Sequence, residues 1–149
     1  MECLDKVAEI EVRYLPKRVY GQKIKESKDI VNCLKPYYNL NTIALQEEFF
    51  ILYMNRIGNV LGVYRHSIGT MSQTMVDIRL ILATALKLGS QRFALSHNHP
   101  TGNLVPSVQD IHLTRKIIEA ARIMDLTVID HLIVDPDFNF YSFADKGEL

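Results

Sequence analysis

The sequence is short of cysteine, of long apolar runs and of net charge. Its two cysteines, Cys3 and Cys33, do not have the close spacing of a metal-binding pair. Lysine plus arginine number 17, as do aspartate plus glutamate, so the formal net charge is zero. Such a balance gives no overall support for binding to nucleic acid or to an anionic membrane. No apolar stretch approaches the ~18 residues that a membrane-spanning helix needs.

The first residues also lack the apolar centre of a signal peptide, because Glu2 and Asp5 place charges there. Together with the two scattered cysteines, this predicts a cytoplasmic protein that does not enter a membrane. A length of 149 residues is typical of one domain, and we find no repeat and no low-complexity stretch. We therefore expect residues 1–149 to form a single domain, and we leave its oligomeric state open.

The chain does contain alternating apolar segments and amphipathic helices. We predict strands over residues 8–14, 49–54, 60–67, 92–96, 127–134 and 139–143. We predict helices over residues 28–38 with Ser27 as N-cap, from Ser72 to a C-terminal Gly89, and from Ser107 onward. Residues 49–54 are apolar throughout, so we expect that strand to be buried on both faces. This order predicts an α/β fold with a mixed β-sheet flanked by helices.

The candidate metal-binding residues form the pattern His97-x-His99-x10-Asp110. Zinc accepts imidazole nitrogen and carboxylate oxygen, and three protein ligands leave a fourth position open. Two histidines at i and i+2, at the end of a strand, point to the same side. The loop between His99 and Asp110 contains Pro100, Gly102 and Pro106, and could fold the aspartate back onto the histidines.

The same residues also have a purely structural interpretation. Nearby histidines in a loop are usually polar surface residues, and Ser107 with Asp110 forms an ordinary capping box. Spacing alone leaves both interpretations open. His66, His112 and His131 have no comparable spacing, and we interpret them as structural or exposed.

Residues 97–110, HNHPTGNLVPSVQD, resemble the JAMM motif H-x-H-x7-S-x2-D, with every fixed position occupied. The H-N-H-P-x-G and P-S elements are similar to those of the RadC-like members of the JAB/MPN+ metalloprotease family. The flanking S-x-G-T at residues 67–70 and D-H at residues 130–131 extend the resemblance to about residues 41–145. RadC-type proteins commonly carry an N-terminal helix-hairpin-helix region, and we expect none within these 149 residues.

The resemblance implies a cytidine-deaminase-like JAB/MPN fold and one zinc ion held by His97, His99 and Asp110. It also implies a general acid/base glutamate before an apolar strand. The family pattern E-x-F places that glutamate at Glu47, with Glu48 as the alternative, because adjacent residues of a strand face opposite ways.

The implied function is a zinc-dependent metallopeptidase or isopeptidase acting on a peptide or protein substrate. Glu47 would take a proton from a zinc-activated water, and Ser107 would stabilise the oxyanion. The alternative is a DNA-repair-associated accessory or binding module of RadC type, which has no peptidase activity. Neither the natural substrate nor the metal present in the cell follows from the sequence.

Overall fold

The computed structural model describes residues 10–11, 21–69 and 75–149. The helices are α1 (Ser27–Leu34), a 3-10 turn (Lys35–Tyr37), α2 (Ile78–Leu88) and α3 (Val108–Ile123). The strands are β1 (Glu48–Met54), β2 (Val60–Ile68), β3 (Arg92–Asn98), β4 (Thr127–Val134) and β5 (Phe140–Ser142). They form one sheet in the order β2-β1-β3-β4-β5.

The central strand β3 has a partner of different orientation on each side. It pairs antiparallel with β1, where Phe49 lies opposite His97, and parallel with β4, where His97 lies opposite Ile133. Helix α3 is the crossover that parallel neighbours require. The β1–β2 and β4–β5 pairs are antiparallel hairpins. The predicted mixed α/β sheet is therefore confirmed.

Apolar residues cover both faces of the sheet. Along β1, Phe49, Ile51 and Tyr53 pack with α2 and α3, while the alternate residues pack with α1. Every residue of β1 is buried, as predicted for a strand covered on both faces. The same two-residue period continues along β3, so its odd-numbered residues face α2 and α3.

Three predicted helix boundaries were wrong: both ends of α1 and the start of α2. Helix α1 begins at Ser27, with Glu26 as its N-cap, and its α-helical part ends at Leu34. Pro36 has no N–H to donate to the preceding turn, so the chain continues as a 3-10 turn. Helix α2 does not include residues 75–77, because Asp77 is its N-cap and accepts a hydrogen bond from the Arg79 N–H at 3.0 Å.

Several sequence features lie outside the described residues, including Ser72 and most of the predicted strand at residues 8–14. Within that segment the structure describes Ile10 and Glu11, and neither lies in a strand. None of the helices in the described ranges is both long and apolar enough to span a bilayer.

Asn98, the last residue of β3, ties the sheet to the segment that precedes β1. Its Oδ1 accepts a hydrogen bond from the Glu48 N–H at 2.7 Å. Its amide donates to the carbonyls of Ile43 at 2.7 Å and Gln46 at 2.9 Å. Asn98 is fully buried, so no water replaces these partners. It thereby sets the position of Glu47, which lies between two of the anchored residues.

We expect Asn98→Asp to lower the free energy of unfolding by about 3 kcal/mol, because two buried carbonyls then face a group that cannot donate and carries charge. Urea denaturation at neutral pH measures the change. Asn103→Asp is a matched control, since Asn103 is exposed and uses only its Oδ1, as an acceptor from the Val105 N–H. The control should change stability by less than about 0.5 kcal/mol. Equal stability of the two variants would contradict the role given to Asn98.

Candidate metal centre

His97, His99 and Asp110 converge on one point at the end of β3. One ligand atom from each lies within 4.8 Å of the others. The two Nε2 atoms are 3.1 Å apart, and they lie 3.2 and 3.3 Å from the Oδ1 and Oδ2 atoms of Asp110 respectively. The structure thus brings together the three ligands that the sequence predicted.

Strand geometry explains the histidine spacing. His97 lies on the α2 and α3 side of the sheet, and the two-residue period returns His99 to that side while Asn98 points to the other. The His99 N–H still donates to the Val134 carbonyl at 2.9 Å, so the loop starts in register with β4. Gly102 then adopts a φ of +83°, which favours glycine, and its N–H donates to the His99 carbonyl.

The capping box of α3 places Asp110. Its Oδ2 accepts a hydrogen bond from the Ser107 N–H at 2.7 Å, while the Ser107 Oγ accepts one from the Asp110 N–H at 3.1 Å. The helix begins at Val108 with Ser107 as N-cap, as predicted. The structural and metal interpretations of this motif are therefore compatible, because one aspartate caps the helix and faces both histidines.

Hydrogen bonds at Nδ1 leave both Nε2 atoms available as ligands. The Nδ1 of His99 lies 2.5 Å from the Asn103 carbonyl, which only accepts, so this nitrogen carries a proton. The Nδ1 of His97 lies 2.9 Å from the Nε2 of His131. Metal-binding histidines typically donate their second ring N–H in this way.

The arrangement suits a small cation. A tetrahedral site with bonds of about 2.0–2.1 Å to nitrogen has ligand atoms about 3.3 Å apart, which is close to the separations found here. With both Nδ1 atoms protonated, two nitrogen lone pairs and a carboxylate face one another. Such a set is unfavourable unless a proton or a metal ion lies between its members.

The electrostatics of the cluster favour an ionised Asp110, which attracts a cation, and a proton on His99, which a bound cation would have to displace. Burial opposes ionisation of Asp110, but hydrogen bonds from His97 and His99 hold the pKa of its carboxyl well below its usual range. Burial lowers the pKa of His99, but its contacts with Asp110 outweigh this, so the pKa lies above the usual value. Burial, reinforced by the neighbouring His97, holds the pKa of His131 well below the usual value.

Glu47 lies beside the cluster, and Glu48 does not. Extending the pairing of Phe49 with His97 by two residues sets Glu47 opposite His99 on the same side of the sheet. Burial raises the pKa of Glu47, His97 and His99 oppose the rise, and Asp110 adds to it. Glu48 is buried on the other side, where it accepts from the Asn39 N–H and pairs with Arg65 at 3.3 Å.

A cavity of about 520 Å³ opens beside these groups. Its wall includes the five residues that the sequence singled out: Glu47, His97, His99, Ser107 and Asp110. The remainder consists of the apolar side chains of Phe49, Val76 and Leu113, of Gln109 on α3, and of the loop after His99. The Ser107 hydroxyl is engaged as an acceptor from the Asp110 N–H, so its proton can be donated into the cavity.

Sequence reasoning left His131 and Thr114 out of the site. His131 is fully buried against His97, and its Nδ1 lies 2.6 Å from the Thr114 Oγ1. Two signals were available. Thr114 is a polar residue four positions after Asp110, on the inward face of α3, and His131 interrupts an apolar strand. Neither signal identifies His97 as the partner of His131, because the two residues are 34 positions apart in the sequence.

Most of the chain is similar to a known protein family. A family model described as the RadC-like JAB domain matches residues 24–148. A UPF0758 protein of Porphyromonas gingivalis is 34% identical over 138 residues, which cover 91% of this chain and 61% of that protein. A UPF0758 protein of Flavobacterium johnsoniae is 36% identical over 126 residues, which cover 85% and 53%. The chain thus spans little more than half the length of these curated relatives. Because the family match takes in β1 to β5 and every residue of the centre described above, the chain belongs to the RadC-like JAB domain family.

Proposed function

We propose that this domain is a zinc-dependent hydrolase of the JAMM type that cleaves peptide or isopeptide bonds. One observation carries the proposal: two imidazole Nε2 atoms and a carboxylate converge in a cavity whose wall also holds a partly buried glutamate. Membership of a JAB-domain family, whose members are generally hydrolytic, supports the same conclusion.

Zinc fits this donor set better than the hard divalent cations do. Calcium and magnesium prefer shells made of oxygen, whereas zinc takes imidazole nitrogen together with a carboxylate. His97, His99 and Asp110 would hold the ion and leave a position open toward the cavity. When bound, zinc supplies Lewis-acid polarisation of a carbonyl and lowers the pKa of water to about 7.

Glu47 would move the proton. Burial raises the pKa of Glu47 toward neutral pH. A carboxyl with such a pKa both accepts and returns a proton efficiently at that pH. The carboxylate takes a proton from the attacking water and then delivers it to the leaving nitrogen of the substrate. Asn98 supports this role by fixing the backbone on either side of Glu47.

Ser107 would stabilise the negative charge that develops on the substrate carbonyl oxygen. Its hydroxyl accepts from the Asp110 N–H and donates its proton to that oxygen, so capping and oxyanion stabilisation use different parts of one group.

Protein purified without a chelator should contain about one zinc ion per chain. Added zinc should raise the melting temperature of the metal-free protein, because a ligand that binds only the folded state stabilises it by about 2.7 kcal/mol at one hundred times its Kd. His99→Ala should lose the ion, and His112→Ala should keep it because His112 is exposed on α3. Elemental analysis and thermal melts measure both effects, and zinc bound equally by the two variants would refute the ligand set.

Glu47→Gln should bind zinc normally and lower kcat on a panel of peptide and isopeptide substrates by about 10²–10⁴-fold, because glutamine cannot accept the proton. Glu48→Gln is the adjacent control, since it keeps an oxygen for the Asn39 N–H and lies outside the cavity wall. Turnover by Glu47→Gln at the rate of the unmodified protein would contradict the acid/base role of Glu47.

Ser107→Asp separates capping from catalysis. Aspartate is an N-cap of similar strength, so the free energy of unfolding should change by less than about 1 kcal/mol. An ionised carboxylate cannot donate, so kcat should fall by about 10²–10³-fold, as it does when one oxyanion donor is removed. Stability comes from denaturation and kcat from the peptide panel. Full activity in this variant would leave Ser107 only its capping role.

A further inference from the structure

We propose that His131 and Thr114 are positioning residues that hold the His97 imidazole in the Nδ1–H tautomer and keep its Nε2 lone pair directed at the metal position. The inference rests on the proposed metal centre and adds the groups that orient one of its ligands. Neither residue touches the cavity, so the role is indirect.

The direction of the hydrogen-bond chain is determined at its far end. The Thr114 Oγ1 lies 2.6 Å from the Asp110 carbonyl oxygen, and two oxygens at that separation need a proton between them. A carbonyl supplies no proton, so the threonine hydroxyl donates. Its single proton is then used, and the Thr114 Oγ1 can only accept from the Nδ1 of His131, 2.6 Å away.

The remaining steps follow from the two nitrogens of each ring. With its proton on Nδ1, a neutral His131 presents the Nε2 lone pair to the Nδ1 of His97, 2.9 Å away. His97 must therefore carry a proton on Nδ1, and in the neutral ring its Nε2 is then the unprotonated nitrogen. That nitrogen is the one that faces His99 and Asp110.

Burial and ring packing preserve this arrangement. His97, His131 and Thr114 are each at most 2% exposed, so water does not compete for their hydrogen bonds. The His131 ring stacks on Phe143 with a centroid distance of 5.1 Å and meets the edge of Phe49 at 5.7 Å. Rotating the ring, or reversing the chain of protons, would leave buried polar atoms without partners, which is costly.

The chain of hydrogen bonds also links two of the proposed metal ligands, His97 and Asp110. It begins at the His97 side chain on β3, passes through His131 on β4, and ends at the backbone of Asp110 on α3. The relative position of β3 and α3 is therefore coupled to the orientation of the His97 ring. A partner of this kind typically changes metal affinity by about 10–100-fold when it is removed.

Zinc affinity of the full chain, measured by competition with a chromophoric chelator, tests the proposal. His131→Leu removes the acceptor and should weaken zinc binding by about 10–100-fold. His131→Gln should stay within a few-fold of the unmodified protein, because its side-chain oxygen reaches the place of Nε2. Thr114→Val should weaken binding in the same direction, whereas Ile117→Val, buried on the same helix without a polar contact, should not.

The tautomers give a readout that needs no variant. Long-range proton–nitrogen NMR spectra of the zinc-loaded protein should show His131 and His97 protonated on Nδ1. A proton on the Nε2 of His131 would overturn the proposal, as would equal zinc affinity in His131→Leu and the unmodified protein. If the unmodified protein binds no zinc at all, both the proposed function and this inference are contradicted.

Discussion

The position of β3 at the centre of the sheet is the constraint on which the site depends. An antiparallel neighbour brings the start of β1, and with it Glu47, to the end of β3 where the histidines lie. A parallel neighbour brings His131 to the same end, and the crossover helix that parallel pairing demands brings Asp110 and Thr114. A strand at the edge of the sheet could not gather groups from both sides.

Bringing these groups together places polar side chains in the otherwise apolar interior around β3. Residues 93–95 of β3 are apolar core, and the next three, Ser96, His97 and Asn98, are polar and equally buried. Each has a partner: Tyr38 for Ser96, His131 for His97, and backbone groups before β1 for Asn98. The two faces of the strand end have different roles, because one supports the backbone around Glu47 and the other carries the proposed metal ligands.

The sequence predicted those features that depend on short spacing. Period two in a strand places His97 and His99 on one side and separates Glu47 from Glu48, and the capping box places Ser107 against Asp110. The predicted start of α2 was wrong because residues 75–77 are not helical and Asp77 caps the helix, whereas the sequence offered Asp77 only as one of several polar residues before the apolar stripe. His131 was missed because its partner is distant in sequence, and periodicity carries no information about contacts between strands.

The choice between a capping box and a metal ligand disappears once the two oxygens of Asp110 are considered separately. Oδ2 accepts the Ser107 N–H, which holds the carboxylate at the helix start, and still lies 3.3 Å from the His99 Nε2, while Oδ1 faces His97. The helix N-terminus favours the ionised form of Asp110, and that form is the one a cation needs. The cap therefore pre-organises the ligand before any ion arrives. A helix start that stabilises the fold is, in this chain, also what gives the candidate metal centre its negative charge.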